Sequence, residues 1–134
     1  MENLIWKYRD KTQFNLNCSE TMLHAANEYY NLNLSKDALL MMSGFGGGIF
    51  EKHLCGIISG AIAVLGIKFK NKTLDNQNLL ELTVNKFKAE FRENYEDLNC
   101  SFLLENYKNE ENGCNDMIFK AATILKEIID KYST

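Results

Sequence analysis

Residues 44–65 read GFGGGIFEKHLCGIISGAIAVL, a glycine-dense loop that enters, at Cys55, the most apolar segment of the chain. That segment carries few polar residues on any face, which marks a helix buried all round. Such a helix must be enclosed by other elements, so it constrains the fold more than any other stretch. Its longest near-continuous apolar run, 57–67, is about half of the ~20 residues that a bilayer crossing needs. It is predicted to be a core helix over 54–69 and not a membrane span. Gly56 and Gly60 share one of its faces, where the missing side chains would let another backbone come close.

The flanking sequence supplies the helices to enclose it. Residues 3–8 are predicted to form a short helix or docked arm, anchored by Leu4, Ile5, Trp6 and Tyr8. Asn15 to Asn17 make a cap-type cluster, since an Asn side chain accepts from the free N–H groups of a first turn. The helix that follows, 18–32, would bury Cys18, Met22, Ala25, Ala26 and Tyr29. Ser35 suits the start of a short helix over 36–42. After the apolar helix, Asp75 or Asn76 is predicted to cap a long helix reaching Tyr95. Its inner stripe is Leu79, Thr83, Phe87, Phe91 and Tyr95. Asn99 would cap a helix over 100–107, and a last helix over 114–132 would bury Ile118, Ala121, Ala122, Leu125, Ile128 and Ile129. No run alternates with the period of a strand, so the fold expected is all-α: one domain over 1–134, about five to six helices around a buried central one.

Cys18, Cys55, Cys100 and Cys114 each fall at or near the predicted first turn of a separate helix. A core-stripe residue follows each by three or four positions, which turns the thiols inward. The unpaired N–H groups of a helix start favour thiolate over thiol, and a lowered pKa is what a nucleophilic or metal-binding cysteine needs. If the helix starts converge, four thiols meet in one place. Against this stands the common buried cysteine that acts only as a small hydrophobe. No CxxC pair is present, so neither a thioredoxin-type motif nor a zinc-ribbon spacing applies.

Asn17-Cys18, the block 43–48 (SGFGGG), the block 55–61 (CGIISGA), 98–100 (LNC) and Gly113-Cys114 occur in an order that resembles the C-GCAxxG-C-C family of redox-active proteins. The likeness covers nearly the whole chain from Asn17 onward. It implies that the four cysteines form one redox centre. A related domain in some multi-haem cytochromes points to electron transfer or an iron–sulfur centre. This chain has no CxxCH, so covalent haem is not expected. Ile57 stands where the family motif has alanine, and its bulk would fill space beside Cys55 and Gly56.

Two redox chemistries follow. Cys18, Cys55, Cys100 and Cys114 could together hold an iron–sulfur cluster or another thiolate-bound metal and pass single electrons. Alternatively, two of them cycle between dithiol and disulfide, with Cys55 as the attacking thiolate, helped by nearby His53. His53 is also a candidate ligand. Gly46, Gly47, Gly48 and Gly56 would let the backbone lie close against a cofactor. A third class is a structural zinc or a plain helical interaction module.

The net charge of -3 and pI of about 5.4 leave no basic surplus to neutralise a phosphate backbone, so nucleic acid is not an expected partner. The glycine block lacks GxxxxGK[ST] and follows no strand, so nucleotide binding is not expected either. The opening MENLIWKYRDK has no apolar core and no small-residue cleavage site, so it does not read as a secretory signal. A cytoplasmic location is therefore expected, where thiols stay reduced. The partner expected is an unidentified redox protein. A homodimer is compatible with a small helical chain, although no exposed heptad seam marks an interface.

Overall fold

The computed structural model describes residues 1–133. Seven helices dominate it: α1 (Glu2–Tyr8), α2 (Cys18–Tyr29), α3 (Lys36–Leu40), α4 (Gly56–Phe69), α5 (Leu79–Tyr95), α6 (Cys100–Tyr107) and α7 (Asn115–Tyr132). The all-α expectation holds, with the short α1 and α3 taking the count above six. Among the described residues no helix is long and apolar enough to cross a membrane.

α4 is the central element. Ile57, Ile58, Ala61, Val64, Leu65 and Phe69 have no solvent exposure, and the helix packs most extensively against α2, then against α5 and α7. Ile57, the residue that departs from the motif, is spent on this core. The burial is not all round: Ser59, Ile62 and Ala63 are partly exposed and Ile67 is about half exposed. The close approach predicted at Gly56 and Gly60 is made by α2 at Gly60, and at Gly56 by Phe45 O of the glycine loop together with α2. A Cβ on Gly60 would stand 2.7 Å from Ser19 O and 2.9 Å from Met22 Cβ, and one on Gly56 would stand 3.3 Å from Ser19 N.

The stripes of α5 and α7 are buried where their periodicity puts them, with Phe87, Phe91, Ile118, Ala121, Ala122 and Leu125 fully enclosed. α2 buries Met22, Ala25 and Ala26 but not Tyr29, which lies at its open end. That helix stops at Tyr29 and not at Leu32, because Asn31 turns left-handed at φ 52. α1 is a docked arm. Ile5 is fully buried, Lys7 Nζ and Tyr8 OH both donate to Glu28 Oε1 (2.7 and 2.6 Å), and Thr123 Oγ1 donates to Glu2 Oε1 (2.9 Å). Trp6 is not an inner anchor but lies exposed over Phe119, ring centres 6.2 Å apart.

One expected cap is moved. Thr73–Leu74 (β1) and Gln77–Asn78 (β2) pair antiparallel, Thr73 opposite Asn78 and Leu74 opposite Gln77. Asp75 and Asn76, with φ of 48 and 67, form the tight turn between them, the two-left-handed-residue geometry that Asp and Asn tolerate in a hairpin. The cap of α5 is therefore Asn78, whose Oδ1 accepts from Glu81 N at 3.2 Å. Two-residue strands are too short to alternate, so periodicity could not reveal them.

Candidate thiol site

The four cysteines stand at four helix starts. Cys18 opens α2 and Cys100 opens α6, while Cys55 and Cys114 immediately precede α4 and α7. Local chemistry sets each start. Asn17 closes a reciprocal cap on α2: its Oδ1 accepts from Glu20 N (3.0 Å) and its own N–H donates to Glu20 Oε1 (3.2 Å). Its amide also donates to Ser43 O at 3.0 Å, and the buried Ser19 Oγ lies 2.8 Å from Met42 O. The start of α2 is thereby sewn to the beginning of the glycine loop.

A second seam joins α4 to α6. Leu54 and Asn99 face each other in an isolated antiparallel bridge. Cys55 N donates to Leu98 O at 2.9 Å and Cys100 N donates to His53 O at 2.6 Å. The chain crosses itself here so that Cys55 and Cys100 are fixed by backbone bonds on opposite sides of one pairing. Gly48 seals this corner, since a Cβ there would meet His53 N at 2.5 Å and Cys100 Cβ at 2.8 Å.

A third connection is made by Arg9, just beyond α1. Its Nη1 donates to Leu16 O at 2.9 Å and its Nε to Asn115 Oδ1 at 2.8 Å. Leu16 is two residues before Cys18 and Asn115 directly follows Cys114, so one guanidinium spans the two helix starts. The sequence signal for it is weak: an arginine at the end of a short amphipathic arm, with nothing near it in the chain to suggest a role.

All four thiols are free, and they share one electrostatic neighbourhood. The Cys18 and Cys114 side chains act strongly on each other's acidity. Charge on Cys18 acts on Cys55 and Cys100, and charge on Cys55 acts on Cys114. Two classes emerge. Cys55 and Cys100 are buried, whereas Cys18 and Cys114 are partly exposed. The Cys114 side chain lowers Cys18 to about 7, assisted by Arg9, Lys11 and its own backbone N–H against the opposing effect of burial. Cys114 is raised for the same reason, as the proton-holding partner. Burial pushes Cys55 up to about 12 and raises Cys100. A family model described as "Putative redox-active protein (C_GCAxxG_C_C)" matches residues 16–128.

The chain belongs to the C_GCAxxG_C_C family. No curated protein and no solved structure matches it. Within the family motif of this chain, the helix-start effect expected to favour a thiolate at Cys55 is outweighed by burial, and Cys18 is the acidic thiol. His53 takes part in the bridge between α4 and α6 through its carbonyl, which accepts from Cys100 N. Its ring is exposed, 3.7 Å from Glu51 Oε2, and it serves through its backbone. Gly46, Gly48 and Gly56 lie against the protein's own atoms, Gly46 on the Asn17 side chain, so packing accounts for their missing side chains. Only Gly47 of the four candidates faces open space.

The glycine loop holds an unusual turn. Gly47, Gly48, Ile49 and Phe50 have φ of 60, 64, 61 and 61, a short left-handed coil. β-Branched Ile49 is poorly suited to this, at about 1–2 kcal/mol for the left-handed backbone. Its side chain is 48% exposed and that of Phe50 74%, so little burial offsets the cost. Ile49→Gly is therefore expected to stabilise the protein by about 0.5–1 kcal/mol, after the flexibility it adds to the unfolded chain. A rise of a few degrees in thermal midpoint would be read by circular dichroism, and a fall would show that Ile49 packs usefully.

Four thiols are suitable donors for a metal or an iron–sulfur cluster. Among the described residues, however, no three or more Cys, His, Asp or Glu are grouped as metal ligands.

Proposed function

We propose that this member of the C_GCAxxG_C_C family is a thiol–disulfide redox protein whose working couple is Cys18 and Cys114. The observation that carries this reading is that Arg9 ties the two helix starts together, Nη1 to Leu16 O and Nε to Asn115 Oδ1, where the two cysteines act on each other's acidity. It supplies what such a couple needs: two neighbouring cysteines, one acidic enough to attack and one still protonated to resolve. Both are partly exposed, so a substrate can reach them. On oxidation the two S–H bonds are lost, an S–S bond forms, and two electrons and two protons pass to the acceptor. Cys55 and Cys100 act as the protonated inner wall, locked by the backbone bridge between α4 and α6.

The test is a thiol count and peptide map of the purified protein before and after mild oxidation. Loss of two thiols with a Cys18–Cys114 linked peptide is expected. A different linkage would move the couple elsewhere. Iron and sulfide retained through anaerobic purification, with all four thiols protected, would replace this reading by the cluster.

A further inference from the structure

The side of the molecule formed by α3 and the loop after it is apolar and open. A groove of about 300 Å³ lies between α2, α3 and α4, and every residue lining it is apolar, among them Leu23, Ala38, Met41, Met42, Ala63 and Ile67. Met41 is 74% exposed, Leu40 52% and Ile67 47%. The exposed Phe45 continues the same side. Its carbonyl stands 3.0 Å from the position of a Gly56 Cβ, and Asn17 Nδ2 donates to Ser43 O just before it. The loop is thereby laid across the starts of α2 and α4, the two helices that also wall the groove.

Leu40, Met41, Phe45 and Ile67, with the partly exposed Leu34, Leu39, Ile62 and Ala63, leave roughly 500 Å² of apolar surface in water, near the upper end for a monomer. A stable interface buries about 800 Å² per partner, of which about two-thirds is apolar in a homodimer. This face therefore holds the apolar area that one such interface needs. The charge pattern agrees. No residue from Ala38 to Phe50 is charged, in a chain that is 25% Asp, Glu, Lys and Arg. Two mixed-sign pairs bound that run, Lys36 with Asp37 and Glu51 with Lys52, all exposed. Groups near a twofold axis meet their own copies, so a patch neutral at its centre and mixed in sign at its rim is complementary to itself. Other occupants fit less well. The groove offers no polar group to orient a small ligand, and a face that seeks a bilayer is rimmed by cations.

We propose that this face joins two copies of the chain in a twofold dimer, with Leu40 of each copy seated in the groove of the other. Leu40 belongs to the same short helix as Ala38 but does not line the groove, so it projects toward a neighbour. Met41 and Met42 are unbranched and adapt their shape to an incoming side chain. Apolar burial holds the dimer and cysteines do not, so it forms with all four thiols reduced and stands apart from the Cys18–Cys114 reading.

The test is sedimentation equilibrium of the full chain in reductant, from micromolar to submillimolar concentration. A mass of twice 15.4 kDa is expected at the upper end of that range. Leu40→Glu and Ile67→Glu, each at an exposed position, put a charge where the dimer buries it and should weaken association by about a hundredfold or more, with helical circular dichroism unchanged. Either variant alone decides if the other loses its helicity. Glu93→Lys, at an exposed position on α5, should leave association as it is. A chain that is monomeric throughout the range would overturn the dimer, and one that also floats with phosphatidylcholine–phosphatidylserine vesicles would give this face to a lipid surface. A dimer that both glutamate variants leave intact would overturn the face.

Discussion

Removing the Cys114 thiol should move the pH at which Cys18 reacts. In the intact protein, alkylation by iodoacetamide at Cys18 is expected to rise as pH climbs through about 7, because Cys114 lowers the pKa of Cys18 from an ordinary 9.0. The sign is that of any depressed acid: the reactive anion is present above the lowered value and lost as pH falls through it. In Cys114→Ala the midpoint should shift upward toward 9, with Arg9 and Lys11 holding back part of the change. At neutral pH the thiolate fraction then falls from about a half to a few per cent. The more basic thiolate is intrinsically more nucleophilic, which returns part of the loss, so the net fall in rate is about five- to tenfold. The midpoint is the cleaner readout. Peptide mapping assigns the modified cysteine, and an unchanged midpoint would mean that Cys114 does not act on Cys18.

The second large effect concerns packing. Gly60→Ala adds a methyl group 2.7 Å from Ser19 O, 2.9 Å from Met22 Cβ and 3.1 Å from Ser19 Cα. Ser19 and Met22 are both fully buried, and two of the three atoms are backbone, so α2 must give way. Overpacking of this kind costs about 3 kcal/mol, and the helix preference for alanine returns about 1 kcal/mol. A net loss of about 2 kcal/mol is expected by urea denaturation. Displacing α2 also displaces Cys18, so the yield of the Cys18–Cys114 disulfide should fall in the folded variant. Gly66, in the same helix, has no atom within 4 Å of an added Cβ, and Gly66→Ala should gain about 0.5–1 kcal/mol. If both substitutions stabilise, the seat of α2 on α4 is looser than the structure indicates.

Much of this architecture is legible from local chemistry. Asn17, Ser35 and Asn99 cap the helices that they precede in sequence, since capping is decided within four residues. The stripes of α5 and α7 follow their period because one broad face is buried. The helix-start position of each cysteine follows from the same signals. Harder to read are features made by contacts distant in sequence. Nothing near residues 53–55 announces a pairing with 98–100. Nothing in α1 announces that Arg9 ends between Leu16 and Asn115. The ranking of the thiols was hidden for the same reason: a helix start favours ionisation at all four, and only burial and the influence of Cys114 separate Cys18 from Cys55. The left-handed coil at 47–50 begins with glycines, as such turns do, but its continuation through Ile49 and Phe50 runs against their preference.

The bridge between 53–55 and 98–100 carries a further consequence for how the molecule breathes. The amide hydrogens of Cys55 and Cys100 are both committed to it, and each cysteine lies where its helix begins. Neither helix start can fray without surrendering the hydrogen bond that secures the other. The first turns of α4 and α6 therefore share one opening event, in the manner of a cooperative unit that exchanges its protons together. Solvent and oxidants would reach the inner thiols through that opening, both at once, while the outer pair stays within reach in the closed state.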